Sequence, residues 1–348
     1  MPILFLQFVL ISGTFAQYKD PNTPFSEVID TLPESEKNWM FYFVILLFVL
    51  STVTATLLTA SFLIMAVFLW NHLKPMKFFW FLLQLTISAF ILSTLNLVFN
   101  VPATLFSVAT EQFVQTNLYL IMSYVIDFCL HSILFSNFVM AIQRFAVFFH
   151  LHISDIIFES PYIYIWLVMI YVLPSLTLIF LGQDNCMYRF DNREQKFTLT
   201  CFNTVGTNKV KIEIPRIIQI IEDTIQIVIP IIILILYIAL VIKIIKMKKT
   251  SRNKTEIIIL KQAFFIFLMF QIYNIIVLYG KTLKMTTVTA FYLKRAIHTA
   301  EIFAGATTPC FVFFTSKEIK KLVSNKITAG SQGNSVLRNR IASVPRNS

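Results

Sequence analysis

Seven stretches of this chain are long and apolar enough to cross a hydrocarbon layer: residues 41–68, 78–99, 118–142, 162–181, 217–242, 257–279 and 290–314, numbered here as spans 1 to 7. A helix rises about 1.5 Å per residue and the layer is about 30 Å thick, so roughly 20 residues suffice. Inside it the backbone meets no water, and a chain that enters must close its own hydrogen bonds as helices. The expected fold is therefore an all-α membrane protein, a seven-transmembrane helix bundle. Composition agrees, with 57% hydrophobic residues, 36 Phe and only 14% charged residues, where a soluble domain is about a quarter charged.

Residues 1–16 have a short apolar core and end in the small residue Ala16, which reads as a cleavable signal peptide; no Lys or Arg precedes the core, and an uncleaved apolar terminus is the alternative. Residues 17–40 form a polar tail, 41–315 the helical domain, and 316–348 a short helix followed by a basic, serine-containing tail read as disordered. Within 316–323, Ile319, Leu322 and Val323 share one side and lysines the other, as in a helix lying on a membrane surface. Net charge is +11. Counted with adjoining span ends, the connections after spans 1, 3 and 5 plus the tail hold 17 basic and four acidic residues, against 12 and ten at the other end. Basic loops stay cytoplasmic, which predicts an outer N-terminus and an inner C-terminus. The excess charge then faces the anionic inner leaflet of the lipid bilayer, and no nucleic-acid partner is needed to explain it.

Arg144 closes span 3, preceded by Gln143 and followed by Phe145. A charge within a bilayer costs several kcal/mol, so it calls for a use; the bland one is an arginine that lifts its head to the phosphates. Pro230 interrupts span 5 and Pro309 span 7, and proline in a membrane helix marks a bend. Gln143-Arg144-Phe145 resembles the Asp-Arg-Tyr signature of rhodopsin-like G-protein-coupled receptors, and Thr308-Pro309-Cys310-Phe311-Val312 stands where that family has Asn-Pro-x-x-Tyr. The sequence departs from the main pattern: Gln143 replaces the acid before the arginine, span 2 has no acid, and span 6 lacks a proline and the Cys-Trp pair. A Phe-rich chain of this kind resembles the nematode serpentine chemoreceptors. That resemblance implies a chemosensory receptor in the plasma membrane, sensory cilia included. It implies an odorant or pheromone-like ligand inside the bundle and a heterotrimeric G protein docking at Gln143, Arg144 and Phe145.

Ser123, Asp127 and His131 recur every four residues on span 3, one polar stripe. In amine receptors an aspartate at nearly this depth binds the ligand ammonium. The spacing to the arginine is seventeen here and eighteen there, a turn of about 100°; the alternative is an internal Asp127–His131 pair. Glu222 and Asp223, with Gln219 and Gln226, form a polar face at the start of span 5, open to ligand or to solvent. Lys294, His298 and Glu301 share a face of span 7, where a buried carboxylate needs a partner. The ligand-binding candidates are thus Asp127, His131, Glu222, Asp223, Gln226, His298 and Glu301. Receptors of this family tie the loop after span 4 to a cysteine at the outer end of span 3, which is missing here. The expected bond is Cys186–Cys201, within that loop, with two free thiols the alternative.

No paired metal ligands, phosphate loop or nucleophile elbow is visible, so neither an enzyme nor a cofactor is expected. The other reading of the intramembrane acids is a transporter or ligand-gated channel subunit that uses Asp127, Glu222, Asp223 and Glu301 as an ion pathway.

Overall fold

The computed structural model describes residues 32, 34–75, 77–105, 117–149, 151–183, 186–191, 196–205, 208–246, 268, 271–272, 275 and 284–315. Among them, five helices are long and apolar enough to cross a membrane: Trp39–Phe68, Lys77–Asn100, Tyr124–Phe149, Tyr162–Gln183 and Arg216–Lys243. They correspond to spans 1 to 5. Span 7 is a 29-residue helix, Thr287–Thr315, which continues through Pro309. It is long enough but less apolar, since it carries Lys294, Arg295, His298 and Glu301. Of span 6 only Leu268, Gln271, Ile272 and Ile275 are described, all of them helical. The leading segment 1–16 and the short helix expected at 316–323 lie outside the described residues.

Span 3 is the central helix. Of its most apolar window 61% is buried inside the protein, against 28% for span 1. The main core gathers Leu85 and Leu92 of span 2, Ile133 and Met140 of span 3, Ile170 of span 4 and Ile233 of span 5. Span 7 packs along span 1, and both lie against span 2. Rows of large apolar side chains remain exposed on the outer faces, such as Leu46, Leu50, Leu57 and Ile64 on span 1 and Ile231, Ile235, Ile238 and Ile242 on span 5. Water would not tolerate such patches; lipid does.

Spans 1 to 5 alternate in direction. The end of span 1 packs on the start of span 2 through Phe62, Leu69, Phe79 and Leu82. A short helix, Leu151–Phe158, follows span 3. Its Phe158 meets Phe81 of span 2 edge-on at 6.0 Å and stacks on Trp166 of span 4 at 5.5 Å. Trp70, Trp80 and Tyr164 cluster at the same end. That end contains Arg144; the opposite end holds the start of span 1, capped by Asn38. Its Oδ1 accepts the Phe41 amide at 3.2 Å and the Tyr292 hydroxyl at 3.3 Å, joining spans 1 and 7.

The loop after span 4 departs from the all-helical expectation. Met187–Asp191 (β1), Lys196–Val205 (β2) and Asn208–Ile212 (β3) form an antiparallel sheet in the order β1-β2-β3. The Cys186–Cys201 disulfide is formed and extends the β1–β2 ladder by one pair beyond Met187 and Thr200. Closing a loop of this length is worth about 3 kcal/mol in the chain-entropy model. Both cysteines are fully buried, with Leu199, against Leu178 and Leu181 of span 4 and Ile218 of span 5. The sheet is thereby seated on the bundle. Polar and apolar residues alternate from Lys196 to Cys201, and that period of two carries the strand signal.

Spans 2 and 7 cross closely because Gly305 has no side chain: a Cβ there would stand 3.0 Å from the Cβ of Ala89. Gly305→Ala is expected to lower the melting temperature in detergent by several degrees, the effect of about 1–3 kcal/mol of overpacking. Ala89→Gly in the same chain should recover most of the loss by moving the methyl across the contact. A double variant no more stable than Gly305→Ala would contradict this crossing.

Candidate functional site

Charged side chains in an apolar bundle are the groups whose positions need a reason, and they gather at its two ends. At the sheet end, span 5 begins as the helix Arg216–Asp223, passes through a π-turn at Thr224–Val228 and resumes as Ile229–Lys246. Its buried stripe runs Ile218, Glu222, Ile225, Ile229, Ile233, Tyr237 and Leu240. The steps are three or four residues, so Glu222 lies on the face that packs inward although it is charged. It is 4% exposed, and Gln226 donates to its carboxylate at 2.6 Å. Asp223, one residue or about 100° further round, is exposed. The structure thus separates the two acids that the sequence left together. Pro230 follows the π-turn, and its carbonyl accepts from Gln271 of span 6 at 3.2 Å.

Span 3 is helical from Asn117 to Phe149, so Asp127 and His131 stand one turn apart, both half-buried. On span 7, Glu301 is 6% exposed and pairs with His298 at 3.2 Å. Of the two same-helix partners the sequence offered Glu301, His298 is the one that meets it. Asp127 lies within electrostatic reach of both Glu222 and Glu301. Carboxylates of spans 3, 5 and 7 are thus near enough for Asp127 to sense the other two. Among the described residues no group of three or more His, Cys, Asp or Glu is close enough to hold a metal ion.

Arg295 did not stand out in the sequence. It is fully buried, the bulkiest side chain to be so among the described residues, with its guanidinium 5.2 Å from the Phe48 ring and 5.6 Å from the Phe291 ring. Cation–π contacts of this kind gain strength when desolvated. Its sequence signal is the stripe Phe291, Arg295, Ile302 and Ala306, the buried face of span 7 toward spans 1 and 2. A positive charge thus sits on the opposite flank of span 7 from Glu301.

At the other end, Arg144 is half-buried and its guanidinium lies 3.8 Å from the centre of the Phe78 ring of span 2. It is also within electrostatic reach of Tyr237, a buried residue of span 5. The arginine turns into the bundle rather than away from it. Gln143 is buried, and Phe145 stacks on Phe149 at 4.3 Å, whose ring also receives Lys243 at 5.3 Å. Span 3 thus carries an acid at one end and a cation at the other, seventeen residues or about 25 Å apart.

A family described as "Protein of unknown function (DUF621)" matches residues 30–335. The chain belongs to that family. No curated protein matches it. The DUF621 match begins two residues before the buried Leu32 and takes in the sheet, the three carboxylates, Arg295 and Arg144.

Like charges held together in a low dielectric work against folding. Asp127→Asn, which keeps the shape and removes one charge, should raise the melting temperature in detergent at pH 8 by about 2–4 °C, the effect of about 1 kcal/mol in a chain of this size. Glu301→Gln, which leaves His298 without its carboxylate, should give no such gain. A fall with Asp127→Asn would mean that the acids do not repel one another.

Proposed function

We propose that this chain is a seven-helix chemosensory receptor of the plasma membrane, with its N-terminus outside, which binds a small ligand at the sheet end and activates a heterotrimeric G protein at the Arg144 end. The observation that carries the reading is the placement of Arg144. It lies near the end of the central helix, which runs on to Phe149, stacks on Phe78 of span 2 and is within electrostatic reach of Tyr237 of span 5, where any movement of those helices changes its surroundings. An arginine serving only as a lipid anchor has no need of either contact. The three carboxylates supply the other end: a ligand with a basic nitrogen would relieve their repulsion, and its preference for one helix arrangement over another would drive the signal. His131 stands one turn from Asp127, Gln226 donates to Glu222 and His298 pairs with Glu301, and all three would offer hydrogen bonds to a ligand there. The apolar helices, the basic excess at the Arg144 end and the resemblance of Gln143-Arg144-Phe145 to a receptor signature support the assignment.

Two experiments test it. Tags at the two ends, probed on intact cells, should give antibody access to the N-terminal tag alone; access to the C-terminal tag contradicts the topology. Arg144→Lys should reach the surface and bind ligand, yet lose at least tenfold in G-protein activation, because lysine lacks the planar fork of donors. Parental signalling by Arg144→Lys at matched surface level reduces Arg144 to an anchor. Ion flux or current in the absence of any G protein would instead assign Asp127, Glu222 and Glu301 to a transport pathway.

A further inference from the structure

Between the short helix Leu151–Phe158 and the start of span 4 lies a cleft of about 270 Å³, lined by Ile156, Ile157, Tyr162, Ile165 and Trp166. The sequence accounts for it. Ser154 and Phe158, four residues apart, are the buried side of the short helix, so Ile156 and Ile157 are left exposed. On span 4, Ile163 and Ile170 face inward, and Tyr162 and Ile165 stand exposed. Trp166 is the least exposed of the five and is held in place. Its ring stacks on Phe158 at 5.5 Å and its Nε1 donates to the Ile157 carbonyl at 3.3 Å, so it is not free to swing out and fill the gap.

The walls restrict what fits. Apart from the Tyr162 hydroxyl and the engaged indole N–H, the five lining side chains offer only hydrocarbon, and an apolar cavity gives water no partners. The cleft continues the exposed row Tyr162, Ile165, Met169 and Leu176, which runs along span 4 as the lipid-facing rows run along spans 1 and 5. It lies at the level of an interfacial aromatic cluster, Trp70, Trp80 and Tyr164. Pockets for drug-sized molecules measure about 300–1,000 Å³, so the cleft is small for a fused-ring lipid. A second copy of the chain fits worse still. Helices approach closely in a membrane through small residues, and this wall is built of Ile, Tyr and Trp.

We propose that the cleft is a lipid-binding site, which seats one acyl chain of a membrane phospholipid from the side at the Arg144 end of the bundle. The inference rests on the membrane reading of the apolar helices, and on neither the receptor role nor the direction of insertion. An acyl chain seated there ties the segment that follows Arg144 to the bilayer.

The test uses a phospholipid with a diazirine high on one acyl chain, reconstituted in vesicles with the full protein, photolysed and read by peptide mass spectrometry. Label should concentrate on residues 156–166 at least fivefold over Val67 and Phe68, which are exposed on span 1 at the same end. Ile165→Trp, which fills the cleft, should lower the label at 156–166 at least fivefold. Leu176→Trp, on the same row but away from the cleft, should leave it unchanged. The distribution in the unaltered chain decides alone should Ile165→Trp misfold. Three outcomes overturn the proposal: equal labelling of 156–166 and of Val67 and Phe68 (bulk lipid only), displacement of the label by cholesterol (a sterol as the occupant), or labelling indifferent to Ile165→Trp. No label on either segment overturns the membrane reading with it.

Discussion

Every polar group inside this array of helices must be answered by the protein itself, because a hydrocarbon layer offers no water. The hydroxyls show how. Thr52, Thr59, Thr86 and Ser136 each donate at 2.7 Å to the carbonyl four residues back, the local bond open to a short polar side chain within a helix. The indoles of Trp80 and Trp166 donate to the Lys74 and Ile157 carbonyls. Where the backbone leaves α geometry, side chains follow. At the π-turn Asn96–Asn100, Asn96 donates to the Leu92 carbonyl at 2.9 Å and Asn100 to Asn96 at 2.7 Å. Beside the π-turn of span 5, Gln271 reaches the Pro230 carbonyl. Charged groups obey the same rule at greater expense, which is why Glu222 meets Gln226, Glu301 meets His298, and Arg295 lies among aromatic rings.

Such a rule makes some features legible in sequence and hides others. Apolar runs of 20 residues or more admit one solution, and spans 1 to 5 appear as helices close to the boundaries that length and hydropathy set. The disulfide was legible because two cysteines share one loop. Other features turn on which way a helix faces, which composition does not encode. Glu222 and Asp223 are equivalent in a hydropathy window, yet 100° of rotation puts one inside and the other out. Arg295 sits beside Lys294, and only its spacing from Phe291 and Ile302 shows that it belongs to the buried stripe. The sheet is hidden for a different reason: its strand period of two runs only from Lys196 to Cys201, within a loop rich in charge.

The two π-turns belong to a third category. Each adds a residue to one turn of helix, which rotates everything before it relative to everything after. On span 5 the turn lies between Glu222 and Pro230, so it sets the angle between the acid at one end and Tyr237 beside Arg144 at the other. Bulges of this type recur at functional sites because they can form or resolve at small cost. Straight, uninterrupted packing would serve stability better.

In the proposed receptor, a signal from the sheet end would have two routes to Arg144 in this bundle. Span 3 runs unbroken from Asp127 to Arg144, packed on both sides, and a continuous helix in a close-packed core transmits displacement as a rigid body. Span 5 is interrupted, so it transmits by changing its own shape. Coupling between distant sites, as the receptor reading requires, would need a two-state element, and the interrupted span 5 beside the continuous span 3 is where it would be sought. Spans 1 and 7 act differently: the Gly305–Ala89 contact and the Arg295, Phe48 and Phe291 cluster tie them to each other and to span 2. Charge placement follows that division in part. Arg295 stands on the flank of span 7 packed against span 1, while of the three acids Asp127 and Glu222 belong to spans 3 and 5 and Glu301 to span 7 itself.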